Sequence, residues 1–271
     1  MPITPSLHLE PVSDDAFAII DKAVMCCAYT VHNKFGRLFD ERIYENDLAA
    51  RLRADGFDVH TQVPVLVTHG GFQKTYYLDL VVNHMLYELK VVARLTGDHD
   101  AQSLHYAMLQ DIRLVKLINF GEHKVQGKLL RNALCDADRH FPRLRDSDMR
   151  FVSPNCERLV THLKAIIHDW GTHLSNQLYS EALVDFFGGE AHCVQRMALR
   201  SGPLFLGTHR VQFHADGLAF VVTSLSRDQT AFRQHPDVLL THTKLKGIQW
   251  INLSHSQVEI TTVEMGGLAK E

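Results

Sequence analysis

Two carboxylates and an amine, Asp79, Glu88 and Lys90, stand close together in KTYYLDLVVNHMLYELKVVA. Valine, leucine and tyrosine flank Asn83-His84 on both sides, as in two strands joined by a two-residue turn. With that turn Val82 faces Met85, and counting back three pairs sets Asp79 opposite Glu88. Their Cβ atoms would then lie roughly 4.5–5.5 Å apart on one face of the hairpin. Lys90 projects from the same face, because side chains repeat every two residues along a strand. Two opposed carboxylates repel each other, so the pair calls for a cation between them. Mg²⁺ or Mn²⁺ suits it, being hard and oxygen-seeking. A lysine beside the ion helps to orient or deprotonate a water, while the ion offsets charge growing on a phosphate. That chemistry is phosphodiester hydrolysis. The plainer alternative is a cross-strand ion pair on a solvated strand face.

The elements that must hold these residues are legible around them. Ser13 is a plausible N-cap, followed by Asp14 and Asp15, and AFAIIDKAVMCCAYTVHNK then reads as a helix ending near Gly36. A second helix runs from about Asp40 to Ala54 and stops at Asp55-Gly56. FDVHTQVPVLV, KTYYLDLVV and MLYELKVVA follow as three strands, broken by Gly70-Gly71 and Asn83-His84. A helix from about Asp98 to Gln110 and a strand RLVKLINF complete an α-β-β-β-α-β unit.

The spacing D-x8-E-x-K on a hairpin between helices resembles the PD-(D/E)xK nuclease superfamily. More narrowly, residues 17 to 122 look like the bacterial GxxExxY protein family, through GRLFDERIY at 36 to 44, DLVV at 79 to 82, YELK at 87 to 90, HDAQSLHY at 99 to 106 and INFG at 118 to 121. The resemblance implies that Glu41 is an acidic residue contributed by a helix, ligating a metal directly or through water. Gln102 and Tyr106 match the QxxxY helix of RecB-type nucleases, where the glutamine lies beside the metal. The glycine that names the GxxExxY pattern is Leu38 here, which affects the turn into the helix more than the metal.

The pattern recurs after a charged stretch. WGTHLSNQLYSEAL repeats the layout of FGRLFDERIYENDL, with Gly36 matching Gly171 and Tyr44 matching Tyr179. VQFHADGLAFVVT lies over LDLVVNHMLYELK, and Ile118-Asn119 over Ile251-Asn252, after a two-residue deletion. These landmarks predict a tandem duplication of a restriction-endonuclease-like core, α/β in class, with a mixed sheet flanked by helices. The expected layout is a nuclease-like domain at 1–130, a linker at 131–152 and a degenerate domain at 153–271. In the second copy Glu41 falls on Asn176, Asp79 on Gln212, Glu88 on Val221, Lys90 on Thr223 and Gln102 on His235. Its Asp216-Gly217 turn is expected to set Gln212 opposite Val221. A similar fold that dispenses with these polar groups makes them unlikely scaffolding in the first copy, and leaves the second to act as pseudo-dimer partner, substrate platform or docking surface.

Bulk properties constrain less. The 271 residues, 45% of them hydrophobic, suffice for packed cores, and no run approaches the roughly 20 apolar residues of a membrane span. The N-terminus MPITPSLHLEPVSDDAF lacks the features of a signal peptide, so a cytoplasmic protein is expected. Five cysteines without CxxC spacing read as reduced thiols, and the 18 scattered histidines as mostly surface or loop residues. A net charge of −3 excludes a strongly basic coat but not a local basic rim. Arg131, Arg139, Arg143, Arg145 and Arg150 alternate with aspartates and read as solvated linker residues rather than a phosphate-tracking rim. His209 and Arg210, beside the second hairpin, read as solvated strand-end residues in preference to phosphate contacts. Tyr76, Tyr77, Tyr87 and Tyr106 could stack on bases, but tyrosine is also a common strand residue, and that reading is preferred for each.

The expected activity is therefore a Mg²⁺- or Mn²⁺-dependent nuclease acting on nucleic acid, DNA favoured. Asp79, Glu88 and Glu41 would hold the metal, Lys90 would orient or activate water, and Gln102 and Tyr106 would support the site. A homo-oligomer or a partner protein docking on the second copy is compatible with this reading. The rival is a non-catalytic nucleic-acid-binding or interaction subunit of a repair or defence complex.

Overall fold

The computed structural model describes residues 2–140, 142–225, 229–254 and 257–264. Of the segment expected to form the second domain, 265–271 lies outside the described residues. The chain divides into two units, one of Met1–Thr68 and Gln73–Asp138 and one of His69–Phe72 and Arg139–Glu271.

The first unit contains β1 (Ile3–Pro5), α1 (Asp14–Phe35), α2 (Glu41–Ala54), β2 (Val59–His69), β3 (Phe72–Val82), β4 (Met85–Lys90), α3 (Gly97–Leu109), β5 (Leu114–Asn119) and β6 (Gln126–Arg131). Helix α1 begins where the Ser13 hydroxyl accepts the N–H of Ala16, with Asp14 and Asp15 complementing the helix dipole. It ends at Gly36, whose φ of 69° is open to glycine and whose N–H bonds to His32 O. Its apolar residues Phe17, Val24, Ala28 and Val31 recur at helical spacing. They share one core with Tyr44, Leu48 and Leu52 of α2 and with Leu80, Val82, Met85, Tyr87 and Leu89 of the hairpin. Burying each such leucine contributes about 1.5–3 kcal/mol. Tyr87, a candidate for stacking on bases, is spent in this core. It is fully buried and stacks on Phe17, and is thus a structural residue, in keeping with the preferred strand reading.

The sheet order is β1-β2-β3-β4-β5-β6. Strands β3 and β4 are antiparallel, whereas β4 and β5 are parallel, as the crossover through α3 requires. A clamp holds the chain leaving β4. The buried Asn119 accepts the N–H of Val92 and of Gly121 and donates to the carbonyl of Val92. Gly121 is required beside it, because a Cβ there would collide with the backbone of Val92. These contacts account for the INFG landmark.

The second unit contains β7 (Arg143–Arg145), α5 (Pro154–Trp170), α6 (Asn176–Phe186), α7 (Glu190–Cys193), β8 (Val194–Ser201), β9 (Leu204–Ala215), β10 (Leu218–Thr223), α8 (Gln229–His242), β11 (Gly247–Ser254) and β12 (Gln257–Glu264). The short α4 (Asp136–Arg139) precedes it at the division between units. Residues 131–152 thus hold α4 and β7, and β7 pairs in parallel with β12. Arg139, expected to be solvated, is instead 2% exposed and donates to Trp170 O, because a backbone acceptor is available there.

Internally the two units share one plan, consistent with a duplicated restriction-endonuclease-like core. The second sheet runs β7-β12-β11-β10-β9-β8, so β8 to β12 repeat the neighbour order of β2 to β6. Leu86 opposes Val115 and Lys90 opposes Asn119 in the first unit, while Ala219 opposes Ile248 and Thr223 opposes Asn252 in the second. Tyr44 donates to Gly36 O and Tyr179 to Gly171 O. Asn252 clamps Leu225 as Asn119 clamps Val92.

One expected register is overturned. Ala215 faces Leu218 as the Asp216-Gly217 turn requires, but the next pair is Phe213 with Ala219, so His214 is an extra residue. This β-bulge moves Gln212 out of line with Val221, a displacement that a turn signal cannot reveal.

Replacing Asn119 or Asn252 with alanine strands buried backbone groups and is expected to cost about 2–3 kcal/mol in each case. Urea unfolding of each variant measures it, and a loss below about 0.5 kcal/mol would show that the clamp is incidental.

Candidate active site

The hairpin register pairs Val82 with Met85, Val81 with Leu86 and Leu80 with Tyr87, so Asp79 comes next across from Glu88. Leu80, Val82, Met85, Tyr87 and Leu89 face the helix core, and by alternation Asp79, Glu88 and Lys90 share the other face. The Asp79 carboxylate also has a structural task. Its Oδ2 accepts the N–H of Leu89 at 2.9 Å, a role that a β3 carbonyl fills in a regular ladder. The regular strand pairing ends at Leu80, where the side chain takes over from the backbone.

Glu88 is 1% exposed. Its Oε1 accepts from Lys90 Nζ at 2.6 Å, while its buried Oε2 has no hydrogen-bond partner. Burial, and then the charge of Asp79, push the Glu88 carboxyl up to about 8 against the pull of Lys90. Burial likewise raises Glu41 to about 7; Lys90 opposes the rise, and Asp79 and Glu45 add to it. For Lys90, burial favours the neutral amine but the charges of Glu88, Glu41 and Asp79 prevail, holding its proton more tightly than usual. Glu41, Asp79, Glu88 and Lys90 therefore form one electrostatic group.

Gln102 and Tyr106 lie four residues apart on α3, with Gln102 Nε2 donating to Tyr106 Oη at 3.1 Å. Burial raises the Tyr106 hydroxyl; Gln102 opposes this, whereas Glu88 and Asp79 add to it, which ties the tyrosine to the same group. Tyr76 meets Tyr106 edge to face at 6.0 Å. Tyr77 is 52% exposed, so the two remain distinct in setting from the buried Tyr87.

Two further residues escaped the sequence reading. Glu45 is 1% exposed, accepts from Arg42 and Gln62, and lies one helical turn after Glu41 on the same face. That spacing was an available signal. Gln62 donates to Glu45 Oε2 at 2.7 Å and to Asp79 Oδ1 at 3.4 Å, joining helix to hairpin. Its φ of 51° is a strained conformation for a non-glycine residue, and no sequence pattern announces it.

The four carboxylates Glu41, Glu45, Asp79 and Glu88 face two cationic side chains, Lys90 and Arg42. Among the described residues, no three His, Cys, Asp or Glu side chains are gathered as a ready metal cage. Lys90 occupies one oxygen of Glu88 instead.

The second unit presents other chemistry at the matching places. Val221 lies beside Trp250, whose Nε1 donates to Thr223 Oγ1, and Phe232 packs 5.1 Å from the indole. Asn176 donates to Ser224, and His235 is exposed. Val221 and Thr223 stand at the register positions of Glu88 and Lys90, and Trp250 at that of Leu117.

Residues 18–131 match the family model of the PD-(D/E)XK nuclease superfamily, which points to a nuclease-type phosphodiesterase. Nothing matches among curated proteins or solved structures. Among the described residues, no helix is long and apolar enough to cross a membrane.

An acid held above its unfolded value binds a proton on folding, so the metal-free protein should lose stability as pH rises from 4.5 through about 8. Glu88→Gln should remove most of that slope, making the variant more stable than the parent at pH 8 by about 2–4 kcal/mol and nearly equal to it at pH 5. Denaturant unfolding in EDTA at both pH values tests this. Parallel pH profiles would mean that Glu88 is not held protonated.

Proposed function

We propose that the first unit is a divalent-metal-dependent nuclease, with DNA its preferred substrate, working through one site of Glu41, Asp79, Glu88, Lys90, Gln102 and Tyr106. The observation that carries this reading is the hairpin register, whose last pair, Leu80 with Tyr87, leads to Asp79 across from Glu88, with a buried Glu88 oxygen that has no hydrogen-bond partner among the described residues. The match of residues 18–131 to a nuclease family model supports it.

The donor set fits Mg²⁺ or Mn²⁺. It is all oxygen, carries excess negative charge and includes two acids, Glu41 and Glu88, whose proton affinity is raised first by burial and then by the neighbouring carboxylates. Asp79 and Glu88 would hold the ion, with Glu41 contributing directly or through water. When bound, such an ion makes water more acidic and offsets charge on the phosphate.

Glu88 must give up its proton and turn from Lys90 to serve as a ligand. Lys90 is then free to donate its ammonium hydrogens to the attacking water or to a phosphate oxygen. Because its neighbours keep it protonated, orienting water and stabilising charge suit Lys90 better than removing a proton. Gln102, held by Tyr106, borders the same group and limits its side-chain freedom. Asp79 is anchored through Leu89 N–H, so its second oxygen faces Gln62 and the site. The second unit, lacking this set, is proposed to be a degenerate copy without its own metal site.

Purified protein incubated with linear, circular, single-stranded and structured DNA, and with RNA, should cleave in Mg²⁺ or Mn²⁺ and stop in EDTA. Glu88→Ala and Lys90→Ala should each lose roughly 10²–10³-fold, and Gln102→Ala about tenfold. Cleavage equal in parent and variants would mark a contaminant and sink the nuclease reading. Folded protein that binds nucleic acid but cleaves none of these substrates would favour a binding module.

A further inference from the structure

The bulge at His214 has no counterpart in the first unit, where the corresponding hairpin pairs Val82–Met85, Val81–Leu86 and Leu80–Tyr87 without a break. A bulge bends its strand and re-aims a side chain, and it persists where the re-aiming has a use. Here the His214 carbonyl accepts from Asn155 Nδ2 in the first turn of α5, which pins the bulge in place. The imidazole is 3% exposed, yet neither ring nitrogen has a hydrogen-bond partner among the described residues. A buried polar group left so is costly and asks what would satisfy it.

His214 lines a cavity of about 570 Å³ inside the second unit, with Phe186, Phe187, Phe213, Arg158 and His192 around it. That volume lies within the range of small-molecule sites. Three phenylalanines supply apolar walls. Arg158 lies 5.6 and 5.5 Å from the rings of Phe186 and Phe187, bonds to Asn155 Oδ1 and has no carboxylate partner among the described residues. Asp216 at the margin is paired with Lys246. The cavity therefore joins flat apolar walls, an uncompensated guanidinium and a buried ring. Burial lowers His214 to about 4, so at neutral pH that ring offers one donor and one acceptor.

We propose that this cavity binds a nucleotide carrying a single phosphate, with the base packed against the phenylalanine-lined wall, its polar edge on His214 and the phosphate on Arg158. The choice of ligand rests on the nuclease reading, since a hydrolysed strand yields such groups. The ligand is a free mononucleotide or the 5′-phosphorylated end of a strand. Either would make the second unit a nucleotide-reading partner of the first.

Calorimetric titration of the full chain with dAMP, deoxyadenosine, inorganic phosphate and a short 5′-phosphorylated single-stranded DNA tests this in metal-free buffer. Saturable binding of dAMP is expected, weakened at least about tenfold by Arg158→Ala and by His214→Phe, with thermal melting confirming that both variants fold. Competition by the oligonucleotide would assign strand ends, and its failure to compete would assign free nucleotides. Binding without any cleavage would fell the nuclease reading and keep this one. The proposal is overturned if dAMP and the oligonucleotide both fail to bind folded protein. It is equally overturned if Arg158→Ala binds as tightly as the parent, or if phosphate alone matches dAMP.

Discussion

Two carboxylates forced together in a buried place govern the first unit. Asp79 and Glu88 are brought face to face by a two-residue turn, and burial weakens the water screening that would make this tolerable. Three responses are visible. Glu88 holds its proton up to about 8, Lys90 binds one of its oxygens, and Asp79 spends an oxygen on the Leu89 amide. None of them satisfies Glu88 Oε2, and an external divalent cation would answer the repulsion more completely.

Other features of this unit serve that pair. The α1/α2 core takes the apolar face of the hairpin and leaves the charged residues on the opposite face. Asn119 fastens the chain just beyond Lys90, and Phe120 N–H donates to the Lys90 carbonyl, so the lysine stands on a fixed backbone. Gln62 adopts a strained conformation and bridges Glu45 to Asp79. Strain held in place by a surrounding core often accompanies a functional site.

The second unit has a similar plan without the opposed carboxylates. Its clamp, tyrosine bridge and sheet order persist, because they depend on backbone geometry and burial. Val221 and Thr223 occupy the positions of Glu88 and Lys90, and the hairpin carries a bulge at His214. Much of this was legible in the sequence. Strand composition and the turn gave the Asp79–Glu88 register, and Ser13 and Gly36 marked both ends of α1. The Gln62 conformation, the bulge and the burial of Arg139 were hidden, since each depends on contacts distant in the chain. Tyr87 was ambiguous in the sequence because tyrosine suits a strand equally well facing solvent or core. Eighteen scattered histidines gave no sign that His214 would be buried without a partner.

The central claim is that the opposed carboxylates exist to hold a divalent ion. Calorimetric titration of the full chain with Mn²⁺ between pH 6 and 8 tests it most directly, run in buffers of different ionisation enthalpy. The account predicts binding that tightens with pH, releases protons from Glu88 and Glu41, and disappears in Asp79→Asn. Absence of Mn²⁺ binding, or binding that persists unchanged in Asp79→Asn, would contradict it.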